Sequence, residues 1–230
     1  MTYWRTTGVV LAVLAAALAT GCVRTSPGVP VAEPSGTAVP TSVALPTASS
    51  QPNEPPPGIM PTLQVPIPAG TVTCPAEQKP PVSAVAKTDD AASPSVTVGV
   101  PDGWSFTKGS GAYGLRMTGP DDMSAFVTIA ATTDDPETAF RQYVDAIMND
   151  SAMSSVSILP GEFCEYSGQK LMGARSDSPE DSIEFYDRLL HVWTNTANYF
   201  IAVHVEAPTG VPGLDAASRV VTDGLEITIP

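Results

Sequence analysis

The sequence predicts an α+β domain in which an antiparallel β-sheet is covered by helices. Two observations favour this class: the elements run in the order strands, helix, a longer run of strands and a second helix, and short turns separate the strands. Strands joined by short links form antiparallel sheets, and amphipathic helices beside them must bury an apolar face.

The first half of the domain is predicted to contain several strands and one helix. Residues 95–100 alternate and are β-branched, which is typical of a strand. Asp135 is a favourable helix cap, and Pro136 suits the first helical position. Further strands are predicted at 104–106, 114–118 and 125–131, and the apolar stripe of the helix is Phe140, Val144, Ile147 and Met148.

The second half is predicted to be dominated by a long β-hairpin. Residues 183–193 and 199–206 form its arms around a turn at 195–198. Apolar residues at helical spacing predict a last helix over 212–225, before a short strand at 226–229. Three more strands are predicted at 156–159, 162–166 and 170–175.

The start of the chain has the parts of a bacterial export signal. Arg5 supplies a positive charge, and the apolar run of 11 residues from Val9 to Ala19 is shorter than the roughly 20 residues that span a membrane. Small residues lead to Cys22 in a pattern that resembles the lipobox of lipoproteins. We predict that residues 1–21 are a signal peptide and that Cys22 carries a diacylglyceryl anchor on the extracytoplasmic face of the cell membrane. A plain secretory signal is the alternative.

Residues 22–73 are predicted to be a lipid-anchored, disordered tether, and residues 74–230 the globular domain. The 51 residues after Cys22 contain 12 prolines and only three charged side chains, so they cannot bury enough apolar surface to fold. The alternative is that the proline-rich segment near residue 61 is a ligand for a partner domain.

The charge of the chain excludes some partners. The predicted domain holds 22 of the 24 acidic residues and 9 of the 11 basic residues, which gives the net charge of −13. This balance argues against nucleic-acid binding, which needs a basic surface, and against direct docking on anionic lipid headgroups.

Two cysteines remain in the predicted domain, Cys74 and Cys164. An even number of cysteines outside the cytoplasm favours a disulfide, which would contribute about 4–5 kcal/mol in the chain-entropy model. Two unpaired thiols are the alternative. Their separation and the lack of nearby histidines argue against a zinc site, so no metal or other cofactor is predicted.

The two histidines of the chain, His191 and His204, are the first candidates for chemistry. Asp187 lies on the same predicted strand as His191, but about 13 Å away, so the two cannot form a catalytic dyad. With the hairpin turn near Thr196, His204 is predicted opposite Arg188 and the two histidines are offset. We expect them to be solvated or to lie at a sheet edge.

The acidic pairs of the domain lack the ligand spacing of a calcium loop. Turn, helix-cap and loop roles are expected for Asp121-Asp122, Asp134-Asp135 and Asp177 with Glu180-Asp181. Core packing is expected for most aromatic residues, and a groove for an apolar ligand is the alternative. These aromatic residues are Trp104, Tyr113, Phe163, Tyr166, Tyr186, Trp193 and Tyr199.

Four short segments of the domain carry a family resemblance. They are Val100-Pro101-Asp102-Gly103-Trp104, Leu171-Met172-Gly173, the hairpin with Arg188 and residues 199–205, and Leu214-Asp215-Ala216-Ala217. With the lipobox and the tether, the chain resembles the LpqN-type lipoproteins of mycobacteria and their relatives over about residues 94–230. The resemblance implies a Mog1/PsbP-like fold and a binding role in the envelope, around lipid export, and it supplies no catalytic residues.

The sequence therefore predicts a non-catalytic cell-envelope lipoprotein that binds a partner protein or a lipid. The binding surface is expected on the sheet face that the helices leave uncovered, beside Trp193, Tyr199 and Tyr186. Two alternatives stay open: a structural or surface-exposed lipoprotein with no small ligand, and an envelope hydrolase.

Overall fold

The computed structural model describes residues 56–76, 79–178 and 180–230. The predicted signal peptide, the predicted lipid site at Cys22 and most of the predicted tether lie outside these residues. The strands are β1 (Ser83–Ala86), β2 (Ser95–Gly99), β3 (Ser105–Lys108), β4 (Tyr113–Thr118), β5 (Ser124–Thr132), β6 (Met153–Pro160), β7 (Ser167–Ser176), β8 (Ile183–Trp193), β9 (Asn198–Pro208) and β10 (Glu226–Thr228), and the helices are α1 (Pro136–Asn149) and α2 (Leu214–Asp223).

The strands of the described residues form two antiparallel sheets. Seven strands lie in the order β3-β4-β5-β9-β8-β7-β6, and three lie in the order β1-β2-β10. All the strand pairs within these sheets are antiparallel. The predicted α+β class, an antiparallel sheet with helices packed on it, is confirmed.

The two faces of the seven-stranded sheet bury different clusters. On one face, called the α2 face, α2 and the three-stranded sheet cover the larger core, which includes Val127 and Ile201. On the opposite face, called the α1 face, α1 packs on β6 and β7 and buries Phe140 against Leu189 and its neighbours. Alternating residues of β8 and β9 supply both clusters, because successive side chains of a strand point to opposite faces.

Helix α1 begins as the sequence predicts. Asp135 caps it by accepting a hydrogen bond from the Thr138 N–H at 3.0 Å, and Pro136 occupies the first position. Phe140 is fully buried, but Met148 is 46% exposed, so the apolar stripe ends one residue before it. The cap therefore fixes the start of the helix more sharply than the apolar pattern fixes its end.

Several strand ends lie up to three residues from their predicted positions, and three further elements differ from the sequence prediction. Strand β1 falls outside the predicted elements. The strand predicted at 162–166 is a tight turn, because Cys164 has a left-handed φ of 56° that interrupts an extended chain. The last helix begins at Leu214 rather than at residue 212, since Gly213 precedes it with φ 92°.

Candidate functional site

Residues 56–73, here called the strap, pack against the folded body. The N–H of Gly168 donates to the carbonyl of Gly58 over 2.9 Å. Ser167 Oγ accepts from the N–H of Met60 and donates to its carbonyl, both at 2.9 Å. The C-terminal part of the predicted tether therefore has backbone hydrogen-bond partners on β7.

A glycine makes this close approach feasible. Gly58 has φ 80°, and a Cβ at this position would collide with the carbonyl of Gly168. Only glycine combines a left-handed backbone with so short a distance to a neighbouring strand. The sequence signal for this contact is one glycine within a proline-rich stretch, which by itself indicates a turn.

The other end of the strap is held at two places. Asn195, in the turn of the long hairpin, accepts a hydrogen bond from the Ile67 N–H at 2.7 Å and donates to the Ile67 carbonyl at 2.6 Å. Val72 forms an antiparallel bridge with Thr228, the last residue of β10. The strap is thus attached to β7, to the hairpin turn and to β10.

The predicted disulfide is confirmed. Cys74 directly follows the strap and is bonded to Cys164, with 6.1 Å between their Cα atoms. Cys74 is buried, and Cys164 lies in the turn that replaces the predicted strand. The bond therefore fixes the end of the strap to the loop before β7.

A pocket of about 410 Å³ lies between the strap and the sheet. Its apolar wall is formed from both sides, by the strap residues Leu63, Val65, Ile67 and Val72 and by Tyr166 and Trp193. Threonines, Glu165, Ser167 and His191 add a few polar groups. A mostly apolar concavity with few polar groups is the usual form of a small-molecule site.

His191 is the titratable group of the pocket wall that is most deeply buried, with 2% of its surface exposed. Its Nε2 lies 3.0 Å from the carbonyl of Asp134, so Nε2 carries the proton and donates it. Burial lowers the pKa of His191, against a smaller rise from the bond to Asp134, and the ring is neutral at neutral pH. Nδ1 is then an acceptor with no hydrogen-bond partner among the described residues.

A second group of polar residues, here called the charged cluster, is buried on the α1 face. His204, 4% exposed, places Nδ1 2.6 Å from Asp187 Oδ1 and Nε2 3.1 Å from Glu206 Oε2. Arg175 donates to Glu206 Oε2 at 2.8 Å, and the Tyr143 hydroxyl of α1 donates to Asp187 Oδ1 at 3.2 Å. The expectation that both histidines are solvated or at an edge is wrong.

The charged cluster depends on a register that differs by one residue from the predicted one. In the structure His204 pairs with Asp187, not with Arg188. The hairpin closes with a hydrogen bond from the Thr194 N–H to the Ala197 carbonyl at 3.0 Å. A shift of one residue moves every side chain of a strand to the other face of the sheet. The register predicted from the sequence therefore places Asp187 and His204 on opposite faces, whereas in the structure they are in contact.

The carboxylates control the protonation of His204. Burial lowers the pKa of His204, but Asp187 and Glu206 more than offset this and raise it to about 9. The hydrogen bond from His204, together with the charge of Arg175, lowers the pKa of Glu206 to about 2 despite its burial. His204 is therefore an imidazolium at neutral pH, and the ring of Phe126 stacks on it at 4.6 Å.

The charged cluster lacks the geometry of a nucleophile and base. Both ring nitrogens of His204 are occupied by carboxylates. Ser124 Oγ lies 3.3 Å from Glu206 Oε1 and donates to that carboxylate. Within the described ranges no hydroxyl or thiol is hydrogen-bonded to His204, whereas a catalytic base must reach its nucleophile directly.

The acidic pairs occupy turns and caps. Asp121 and Asp122 have left-handed φ values of 53° and 60° in the β4–β5 turn, and Asp177 accepts a hydrogen bond from the Ala152 N–H at 2.9 Å. Over residues 56–76, 79–178 and 180–230, no group of three or more histidine, cysteine, aspartate or glutamate side chains could hold a metal ion.

The aromatic residues do not share one face. Trp193 lies in the pocket on the α1 face, while Tyr186 is an odd number of positions away on β8 and points to the α2 face. Tyr199 is 2% exposed, and its hydroxyl donates to Asp90 Oδ2 at 2.6 Å. The expectation of one uncovered face that carries Trp193, Tyr199 and Tyr186 is therefore wrong.

The comparisons with known proteins support the fold of the domain but identify no family. No protein-family model matches the chain, no curated protein matches it, and no helix of the described residues is long and apolar enough to cross a membrane. A structure from Bacteroides thetaiotaomicron matches with a TM-score of 0.34 and 18% identity, over 56% of this chain and 44% of that one, which is too weak to support an argument. The crystal structure of LpqN, involved in cell envelope biogenesis of Mycobacterium tuberculosis, matches with a TM-score of 0.50 and 16% identity, over 64% of this chain and 91% of LpqN. The domain therefore has an LpqN-like fold.

Proposed function

We propose that this protein is a non-catalytic cell-envelope lipoprotein whose pocket binds the apolar part of a lipid. The observation that carries the proposal is the pocket of about 410 Å³ between the strap and the sheet. Its volume lies within the usual range of small-molecule sites, and aliphatic and aromatic side chains form most of its wall. Burying an acyl chain there would remove apolar surface from water on both partners.

The arrangement of the strap favours a lipid over a protein partner. Leu63 and Val65 are 61% and 62% exposed and lie at the pocket, where a ligand would cover them. Only a narrow ligand fits between the strap and the sheet, because the strap is hydrogen-bonded to both Gly168 and Asn195. An uncharged head group suits this site, since Glu165 lies in the pocket wall and the chain carries a net charge of −13.

The envelope location is supported by the sequence and by the structural neighbour. The first 21 residues form an export signal, and Cys22 is placed for a diacylglyceryl anchor, whose two acyl chains are enough for stable attachment. LpqN, which has the same fold, is described as involved in cell envelope biogenesis. The proline-rich residues between Cys22 and the strap would let the domain reach away from the membrane surface.

Quenching of Trp193 by a brominated long-chain alcohol tests the pocket, because bromine quenches only a fluorophore that it contacts. We expect saturable quenching in the wild type and none in Trp193→Phe, which retains Trp104 in the folded domain. Val65→Asp should weaken the affinity about 10-fold or more, since it places a charge against the apolar ligand.

Val85→Asp is the matched control, because Val85 is 49% exposed on β1 and lies outside the pocket. This variant should bind like the wild type. Two results would reject the pocket as the binding site. One is an equal change of the quenching in Val65→Asp and Val85→Asp, and the other is quenching that persists in Trp193→Phe.

Replacing Cys22 by Ala tests the anchor. Metabolic labelling with palmitate should mark the wild-type chain, and the Cys22→Ala chain should be released from membranes or remain an uncleaved precursor. Labelling of both chains would contradict lipidation at Cys22.

A search for hydrolase activity tests the non-catalytic role. The purified protein should hydrolyse no ester, peptide or glycoside substrate. Turnover of such a substrate that one point substitution abolishes would overturn this role.

A further inference from the structure

The two edges of the seven-stranded sheet differ in length and charge. Strand β3 has four residues and ends in Lys108, which is the kind of short, charged edge that resists pairing with another chain. Strand β6 has eight residues, MSSVSILP, with no charged side chain. Among the described residues, only β7 pairs with β6, so its outer edge offers unpaired N–H and C=O groups.

An exposed apolar patch lies beside this edge on the α2 face. Met153, Leu159 and Met172 are 57%, 44% and 42% exposed. Met172 pairs with Ser157, so it points to the same face as the odd-numbered residues of β6. Helix α2 packs on β9 and β8 and leaves this outer part of the face uncovered. A free edge next to an uncovered apolar face is the usual form of a surface for strand addition.

We propose that β6 pairs antiparallel with β6 of a second copy of this chain, so that the two seven-stranded sheets become continuous. A two-fold axis at Val156 places Met153 opposite Leu159 of the other copy and Ser155 opposite Ser157. Apolar residues then meet at both ends of the ladder, and serines meet in the middle. Pro160 has no N–H to donate and marks the end of the ladder.

The charge pattern favours a second copy as the partner. Each chain carries −13, yet the strand that would meet its own copy carries no charge, so the pairing brings no like charges into direct opposition. The chain's own residues 23–55 are a poorer partner, because no stretch of them longer than five residues lacks a proline. A proline removes a donor from the ladder, and seven successive residues of β6 need a partner.

The distant charges of the two copies still repel each other, which gives the dimer a distinctive salt dependence. Raising the salt concentration from about 0.01 M to about 1 M shortens the Debye length from about 30 Å to about 3 Å and screens this repulsion. Dimerisation should therefore strengthen with salt. Binding of a basic partner to an acidic surface would weaken instead.

Sedimentation equilibrium of the full chain, with paired charge variants, tests the proposal. Ser155→Glu/Ser157→Glu places like charges opposite each other twice, and we expect it to stay monomeric at concentrations at which the wild type dimerises. Ser155→Lys/Ser157→Glu places opposite charges there, and we expect it to dimerise at least as tightly as the wild type. Both serines are exposed in the monomer, so both variants should fold, as near-ultraviolet circular dichroism would verify.

Thr107→Glu, on the exposed edge strand β3, is the control and should dimerise like the wild type. The four chains share one N-terminus, so association through the apolar run there would be equal in all of them. A wild type that is monomeric up to about 1 mM at high salt would overturn the proposal. So would equal dimerisation of the two double variants. Because neither result involves the pocket, the proposal stands or falls separately from lipid binding.

Discussion

His191 and His204 lie on neighbouring strands and on the same face of the sheet, and both are buried, yet one ring is neutral and the other is cationic. Burial lowers the pKa of each. At His191 a carbonyl is the only hydrogen-bond partner among the described residues, and the ring stays neutral. At His204 two carboxylates outweigh burial, and the ring is cationic. Because burial acts on both rings, the difference in their charge comes from their hydrogen-bond partners.

The two rings also differ in what they can still do. Both nitrogens of His204 are bonded, so this residue joins β8, β9 and, through Asp187 and Tyr143, helix α1. His191 has an acceptor without a partner in the described part of the chain, in a side chain that forms the pocket wall. We therefore expect substitutions to separate a stabilising histidine from one that is available to a ligand.

Replacing His204 by Leu should have the largest effect. The variant leaves the fully buried Asp187 carboxylate without its cation, and breaking a buried pair in this way costs about 3–5 kcal/mol of the free energy of unfolding. Urea denaturation of the wild type and the variant measures the loss.

Asp187→Leu/His204→Leu is the matched control for this variant. It removes both charges, and its free energy of unfolding should lie closer to that of the wild type than the value for the single variant, because no uncompensated charge remains. A single variant as stable as the wild type would show that the cluster contributes little.

The pH dependence of stability should come next in size. The pKa of His204 is raised from 6.5 to about 9, so its contribution is complete below pH 6.5 and is lost as the pH rises through about 9. The pKa of Glu206 is lowered from 4.5 to about 2, so its contribution is present above pH 4.5 and is lost as the pH falls through about 2. Denaturation midpoints across this range should show a plateau from pH 4.5 to 6.5.

Asp187→Leu/His204→Leu gives the corresponding control, since this variant should lose the fall in stability at alkaline pH.

Proton NMR of the two imidazoles checks the charges of the two histidines directly. His204 should titrate near pH 9, and His191 below its ordinary value of 6.5. Titration of both rings near pH 6.5 would contradict the assignment of a neutral His191 and a cationic His204.

Replacing His191 by Leu should have the smallest effect on stability. The substitution removes one hydrogen bond to the Asp134 carbonyl, which contributes about 1 kcal/mol, but it also removes a buried acceptor that has no partner in the described structure. The two effects offset each other, and we expect a loss below about 1 kcal/mol by urea denaturation. A loss as large as that of His204→Leu would show that the two histidines are equivalent in the fold.

Local chemistry explains which features could be predicted from the sequence. The cap at Asp135, the pairing of Cys74 with Cys164 and the long hairpin follow from residue type and spacing, and the structure contains all three. The charged cluster depends on the register of that hairpin, and the turn residues between Thr194 and Ala197 are compatible with two registers. Such a choice is decided by packing across the whole sheet.

The strap was beyond sequence reasoning for a different reason. Its proline content indicates a chain that cannot build its own core, and it builds none. It is ordered by a surface formed from residues more than a hundred positions away, such as Ser167 and Asn195. Only the tertiary structure brings those partners together.

The central strand pair has a consequence for how this protein is made. Strand β5 pairs with β9, and Ser124 and Glu206 at one end of that pair are 82 positions apart in the chain. Contacts of such long range slow folding, because a large loop must close before any of them forms. A ribosome must therefore complete most of the chain before the sheet can close. For the export that we propose, this delay would keep the nascent chain unfolded and available to the export machinery.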